Sequence, residues 1–232
     1  ILELDVTVAR NKITSQKDQG KDISFTAWLI KCISQAVSVY KPIHGLRKGK
    51  RGVVLFEDID VSLMIEREIK GVQVPLPYLI RETNKKSVVE ISAEICSGKT
   101  QGIENEKDYV LGGGKSRVLM KIYYFLPGFI RSFIWKQLMK RPFIFKKNMG
   151  TVMVTSVGMV GNMHGWIIPV SVHPLCFAVG SIVKKPWVVN DEIKIRDILY
   201  LTALVDHDVI DGAPAVRAFN HLKELVELGS GL

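Results

Sequence analysis

Leu204-Val-Asp-His-Asp-Val-Ile-Asp-Gly-Ala213 carries an apolar run into a dense polar turn, after which a helical pattern begins at once. The spacing puts His207 and Asp211 four residues apart, with Gly212 where a sharp turn calls for a residue without a side chain. Histidine is the side chain whose ordinary pKa lies nearest neutrality, so His207 can accept a proton at working pH. A carboxylate beside it can hold the turn or orient the ring. In isolation, one His among acids is as readily a structural residue as a catalytic one.

Moving outward, the runs Val152–Val157, Trp166–Val172, Cys176–Val183 and Ile198–Val205 read as strands parted by Gly, Pro and Asn turns. The last element, Ala213–Leu228, reads as a helix with Val216, Phe219, Leu222 and Val226 as its inner stripe. Toward the N-terminus, residues 1–8 alternate as a strand does. From Ser24, a candidate N-cap, Phe25, Trp28, Leu29, Cys32, Ile33, Ala36, Val37 and Tyr40 recur at helical steps up to a stop at Pro42. Extended runs follow near Gly52–Phe56, at Ile59–Ile65 and at Val72–Leu79. Pro75 and Pro77 mark the last as an edge or bent strand. Ser87 opens a helix through Cys96 with Val88, Ile91 and Ile95 on one face. Interleaved strands and helices imply an α/β or α+β sandwich rather than a bundle.

At 47% hydrophobic and 24% charged, 232 residues are enough to bury one sizeable core. The three cysteines, Cys32, Cys96 and Cys176, show no CxxC spacing and sit among apolar neighbours. They read as buried thiols in a reducing, cytoplasmic setting, with neither a disulfide framework nor a metal site. The net charge is +9, and no acid occurs between Asp108 and Asp191 while Lys and Arg abound there. One region is therefore strongly positive, which suits a phosphate-bearing ligand, an anionic surface or a merely solvated basic face. Gly112-Gly113-Gly114 is a loop without the pattern of a phosphate cradle. Residues 118–147, rich in Phe, Ile, Trp, Lys and Arg, read as two short helices broken at Pro127-Gly128. Packing over the core or a subunit is the expectation, with contact to an anionic membrane surface as the other reading.

His-x-x-x-Asp-Gly at the end of a β-run, some 25 residues from the C-terminus, resembles the signature of the chloramphenicol acetyltransferase-like superfamily. Asp206-His207-Asp-Val-Ile-Asp211-Gly212-Ala213 looks most like the catalytic domain of the dihydrolipoamide acyltransferases of 2-oxoacid dehydrogenase complexes, which usually have Arg where this chain has Asp208. Thr155-Ser-Val-Gly158-Met-Val-Gly161 resembles the family's Thr-Ile-Ser-x-Leu-Gly-x-x-Gly loop, whose serine stabilises the oxyanion; the glycines register that serine with Thr155, next to Ser156. Pro169–Pro174, Val61–Ile65, Gly71–Pro75 and Asn84–Ser87 also match, so the resemblance covers roughly 1–110 and 150–232 and leaves a basic, aromatic insert at 112–149.

The resemblance implies an α/β, chloramphenicol acetyltransferase-like two-layer sandwich of mixed β-sheet and helices, forming one catalytic domain over 1–232. It implies acyl transfer between coenzyme A and a thiol such as dihydrolipoamide, with His207 as general base, Thr155 or Ser156 as oxyanion donor and Asp211 as a structural acid. It further implies a homotrimer whose active site lies between subunits, and coenzyme A as a substrate rather than a tightly bound cofactor. Lys184 and Lys185 are candidates for its phosphates. No metal and no nucleic acid are expected. A lipoyl group would reside on a separate domain; none is visible in these residues, either because it lies in a segment that precedes them or because this is a free-standing relative with another acceptor, and the insert favours the latter. A non-lipoyl acceptor, or a non-catalytic scaffold, remains the alternative.

Overall fold

The computed structural model describes residues 1–49, 52–69, 72–100, 125–156 and 164–232. Eight strands run in chain order: β1 (Leu2–Asp5), β2 (Leu46–Lys48), β3 (Gly52–Val54), β4 (Val61–Ile69), β5 (Val72–Ile80), β6 (Val152–Ser156), β7 (Leu175–Val189) and β8 (Glu192–Val205). The helices are α1 (Thr7–Asp18), α2 (Phe25–Val39), α3 (Val88–Thr100), α4 (Gly128–Met139), α5 (Pro142–Met149) and α6 (Gly212–Glu227), with a short 3-10 turn at Lys41–His44. Six strands form one mixed sheet in the order β1-β8-β7-β6-β4-β5, and β2 pairs with β3 as a separate hairpin. The β4–β6 and β6–β7 pairs are parallel and the rest antiparallel.

Alternation decides which face of the sheet is covered. Val61, Leu63 and Ile65 on β4, Val152 and Val154 on β6, Leu175, Phe177 and Val179 on β7, and Leu199 and Leu201 on β8 all share one parity and join one core. Register aligns them in rows: Val61 lies beside Val152, Val152 beside Leu175 and Leu175 beside Val205. Against these rows pack Ala27, Trp28, Ile30 and Val37 of α2, Val88, Ile91 and Ile95 of α3, and Ala215, Ala218, Leu222 and Val226 of α6. The result is a sheet layer and a helix layer, as the sequence implies.

Local chemistry sets the ends. The Ser24 hydroxyl accepts from the Ala27 N–H at 3.0 Å, capping α2. Ser87 and Glu90 cap each other at the start of α3: the Ser87 N–H donates to the Glu90 carboxylate at 2.7 Å, and the Glu90 N–H donates to Ser87 Oγ at 3.2 Å. Among the described residues β5 is an edge strand, paired only with β4, and the common parity of Pro75 and Pro77 turns both missing N–H groups to the side away from β4.

Several expectations are corrected. The strand read at residues 1–8 stops at Asp5, and Thr7–Asp18 forms α1, whose polar composition gives little apolar stripe to see. Trp166–Val172 is not a strand; Trp166 stacks on Tyr200 with ring centroids 4.0 Å apart, and the rest runs as an irregular segment. Val216 points outward at 55% exposure, its place in the α6 stripe taken by Ala215 and Ala218. Cys96 is exposed, while Cys32 and Cys176 are buried. The 112–149 insert is described from residue 125: α4 begins at Gly128, after Pro127, and a further break at Lys140–Arg141 that the sequence reading did not place separates it from α5; Gly112–Gly114 and 118–124 lie outside the described residues.

Candidate active site

β8 delivers the His207 turn to one end of the sheet. The Asp206 N–H still donates to the Pro174 carbonyl at 2.8 Å, one step past the β7–β8 ladder. Asp206 then folds the chain back: its Oδ1 accepts from the Asp208 N–H at 3.0 Å, and its carbonyl accepts from the Val209 N–H at 3.0 Å. His207 stands exposed at the tip, with no hydrogen bond to its ring among the described residues. Asp211 is the N-cap position of α6, in extended backbone (φ −77°, ψ 163°), where its negative charge suits the helix N-terminus. Its side chain caps no N–H. Gly212 already belongs to the helix without a left-handed φ, and a side chain there would meet nothing within 4 Å, so the sharp turn expected of it is made by Asp206 instead.

Asp208, the departure from the family phrase, forms an ion pair with Arg47 of β2. That arginine was not foreseen, since nothing in the sequence links positions 161 residues apart. The pair ties the His207 turn to the β2–β3 hairpin. Beside it opens a cleft of about 370 Å³ whose lining includes Arg47, Trp135, Lys136, Lys140, Pro174 and Asp206. Arg47 is paired with Asp208, and Lys136 and Lys140 against Asp206 leave the cleft next to His207 positive.

Thr155 and Ser156 end β6. Thr155 faces away from the helices, level with Ala178 on β7 and Thr202 on β8, whereas Ser156 shares the parity of the core residues. Ser156 Oγ is buried without a hydrogen-bond partner among the described residues, and so is Thr202 Oγ1. Within one chain these hydroxyls do not meet His207. Val205 lies three residues beyond Thr202 and two strands from Thr155, a separation of roughly 14 Å at 3.3 Å per residue and 4.8 Å per strand. His207 is two residues farther on. Gly158 and Gly161, on which the loop resemblance leans, lie outside the described residues.

Lys184 and Lys185 stand on the far arm of β7, with Lys184 opposite Asp197, roughly 25 Å of strand from the His207 end. Lys185 is committed to Glu3 at 2.8 Å and lies over the Tyr200 ring. In this chain the cations beside His207 are those of the cleft, not these two.

Two further histidines carry structural duties that sequence reasoning passed over. His173 Nε2 donates to the Met149 carbonyl at 2.9 Å and its Nδ1 lies 3.0 Å from Ser171 Oγ, so both nitrogens are engaged. His44 is fully buried, its Nδ1 2.8 Å from Thr151 Oγ1. Burial lowers the His44 pKa to about 4, partly offset by the Phe56 backbone, and burial lowers that of His173 too. The unfolded chain therefore binds protons that the folded chain refuses between pH 6.5 and 4, so stability rises with pH across that window. Acidification from pH 7 to 4 is expected to cost on the order of 3 kcal/mol through His44. Denaturant titrations of wild type and His44→Gln over that range check it; equal pH slopes would refute the assignment.

The family 2-oxoacid dehydrogenases acyltransferase (catalytic domain) matches residues 3–107 and 147–230, which together are most of the chain. The chain belongs to this family. Residues 108–146, holding α4 and the start of α5, fall between the matched parts. A dihydrolipoyllysine-residue acetyltransferase component of the pyruvate dehydrogenase complex from Bacillus subtilis is 26% identical over 231 residues, covering 97% of this chain and 43% of that protein. This chain thus spans less than half the length of that relative. Among solved structures, a probable dihydrolipoamide acetyltransferase from Listeria monocytogenes aligns with a TM-score of 0.65 at 22% identity, covering 99% of this chain and 83% of the other. A chloramphenicol acetyltransferase aligns at 0.55 and 11% identity, covering 97% and 86%. These likenesses establish the shared fold, in agreement with the sandwich expected from the sequence.

Proposed function

We propose that this domain transfers an acyl group between coenzyme A and a thiol such as dihydrolipoamide. The observation that carries the proposal is His207 itself: an exposed imidazole without a hydrogen-bond partner among the described residues, at the end of β8 in a chain of this family and beside a positive cleft. As neutral imidazole it removes the proton from the acceptor thiol. The thiolate attacks the thioester carbonyl, and the tetrahedral oxyanion takes a hydrogen bond from Thr155 or Ser156. Collapse breaks the old carbon–sulfur bond, and the leaving thiolate recovers the proton from His207. Arg47, Lys136 and Lys140 are placed to hold the phosphates of coenzyme A, which enters as a substrate; the lipoyl group would come on a separate domain. Asp211 stabilises the N-terminus of α6 and so holds the turn.

The separation of His207 from Thr155 supports a site completed between copies, in a homotrimer. So do the apolar side chains Ile168, Val170, Val188, Ile193 and Ile195, all more than 60% exposed in the single chain. A solved core of the pyruvate dehydrogenase multienzyme complex shares this fold, with a TM-score of 0.63 at 14% identity. Lys136 and Trp135, which line the cleft from outside the family match, favour an acyl group or acceptor that differs from those of the curated relatives.

The test is release of free thiol from a panel of acyl-coenzyme A donors, with and without dihydrolipoamide. Acceptor-dependent release with at least one donor is expected. No turnover with any pair, from an assembled protein, would refute the lipoamide assignment.

A further inference from the structure

α4 and α5 present an apolar, cationic surface that the fold leaves uncovered. Phe125 is 91% exposed, Phe129 75%, Phe133 61% and Phe143 64%. Phe129 and Phe133 sit one turn apart on α4, whose C-terminal end brings Lys136 and Lys140 to the cleft. On α5, Phe143 and Lys147 lie one turn apart. The platform is fixed to the body. Phe145 is buried against Leu46 and Phe56, and Arg81 donates to the carbonyls of Lys146 and Lys147 while pairing with Asp60 at 2.9 Å. Phe143 keeps its outer side open while its ring meets Phe56 edge to face, with centroids 5.7 Å apart.

We propose that this face docks on an anionic phospholipid surface, with the phenylalanines entering the headgroup boundary and the Lys and Arg side chains meeting lipid phosphates. Charge selects the occupant. No acid occurs between Asp108 and Asp191, so this stretch brings Arg131, Arg141 and Lys147 to the face and no carboxylate of its own. A second copy meeting it face to face would bring like charges together, whereas an anionic bilayer supplies the opposite charge and an apolar layer at once. The platform lies largely outside the family match, so the shared acyltransferase fold does not require it for packing. Among the described residues no helix is long and apolar enough to cross a membrane, which fits a helix pair lying flat on one side. The inference does not rest on the acyltransfer reading.

Co-sedimentation with vesicles of phosphatidylglycerol and phosphatidylcholine, against phosphatidylcholine alone, tests it. Wild type is expected to pellet with the anionic vesicles at least tenfold better, and to be released by high salt. Phe129→Ser/Phe133→Ser keeps the net charge, so adsorption by charge alone would survive it; insertion predicts at least a tenfold loss. Equal binding by wild type and this variant would overturn the proposal, as would no binding by wild type at low ionic strength. A change in assembled mass of the variant by light scattering, with vesicle binding unchanged, would assign the face to contact between copies and overturn it too.

Discussion

Replacing His207 by alanine is expected to lower kcat for thiol release about a hundred- to ten-thousandfold, the range for loss of a general base. The fold should not notice. His207 is exposed, no hydrogen bond holds its ring among the described residues, and the turn is made by the carbonyl and carboxylate of Asp206. Stability should therefore stay within about 0.5 kcal/mol of wild type, as for other surface substitutions. That separation of effects gives the experiment its force. Loss of turnover with an unchanged denaturation midpoint assigns proton transfer to this ring. Loss of both would make His207 a structural residue, and retained turnover would exclude it as the base. Asp208→Asn is the companion variant: it frees Arg47, so a change in KM for the acyl donor with kcat held would show that the ion pair shapes the cleft rather than the chemistry.

The core was legible because burial writes itself as period. Val88, Ile91 and Ile95 at helical steps, Val61, Leu63 and Ile65 at alternate positions, and the paired prolines of β5 each have one physical solution, and the structure adopts it. Where the period was weak, the reading failed. α1 has only Ala9 buried and few apolar residues, so nothing in its pattern opposed a longer strand at 1–8. Trp166–Val172 is rich in β-forming residues yet takes no partner strand, because propensity cannot say whether an edge is free to pair. The site divides the same way. His207 and Asp211 stand out within one short phrase. Arg47 is brought into place only by the fold, at a sequence separation no local pattern records.

Lys184 and Lys185 are candidates because they belong to the acid-free stretch, but β7 and β8 form a hairpin, so within one chain residues close to its connection are far from its open end. His207 is at the open end. The cations there come from β2 and α4.

Mixing two inactive variants should restore activity if the site is shared between copies. Thr155→Val removes one of the two proposed oxyanion donors while keeping the branched shape that suits β6, and, with Thr155 as the donor, is expected to lower kcat about a hundred- to a thousandfold. His207→Ala is defective in the other half. Dissociated, combined in equal amounts and reassembled, the two chains distribute at random around a cyclic trimer. Each interface needs His207 from one copy and Thr155 from its neighbour. About a quarter of the interfaces then receive both intact residues, and activity should return to about that fraction of wild type. A site contained within one chain predicts no gain at all, since every copy carries a defect. Native mass spectrometry on the same sample confirms that mixed assemblies have formed. The register already bears on the outcome: Thr155 lies level with Thr202, three residues short of the end of β8 and two strands away. If mixed assemblies form and stay inactive, the oxyanion donor must be sought on the His207 side of the same chain, and the role given to Thr155 falls with the shared site.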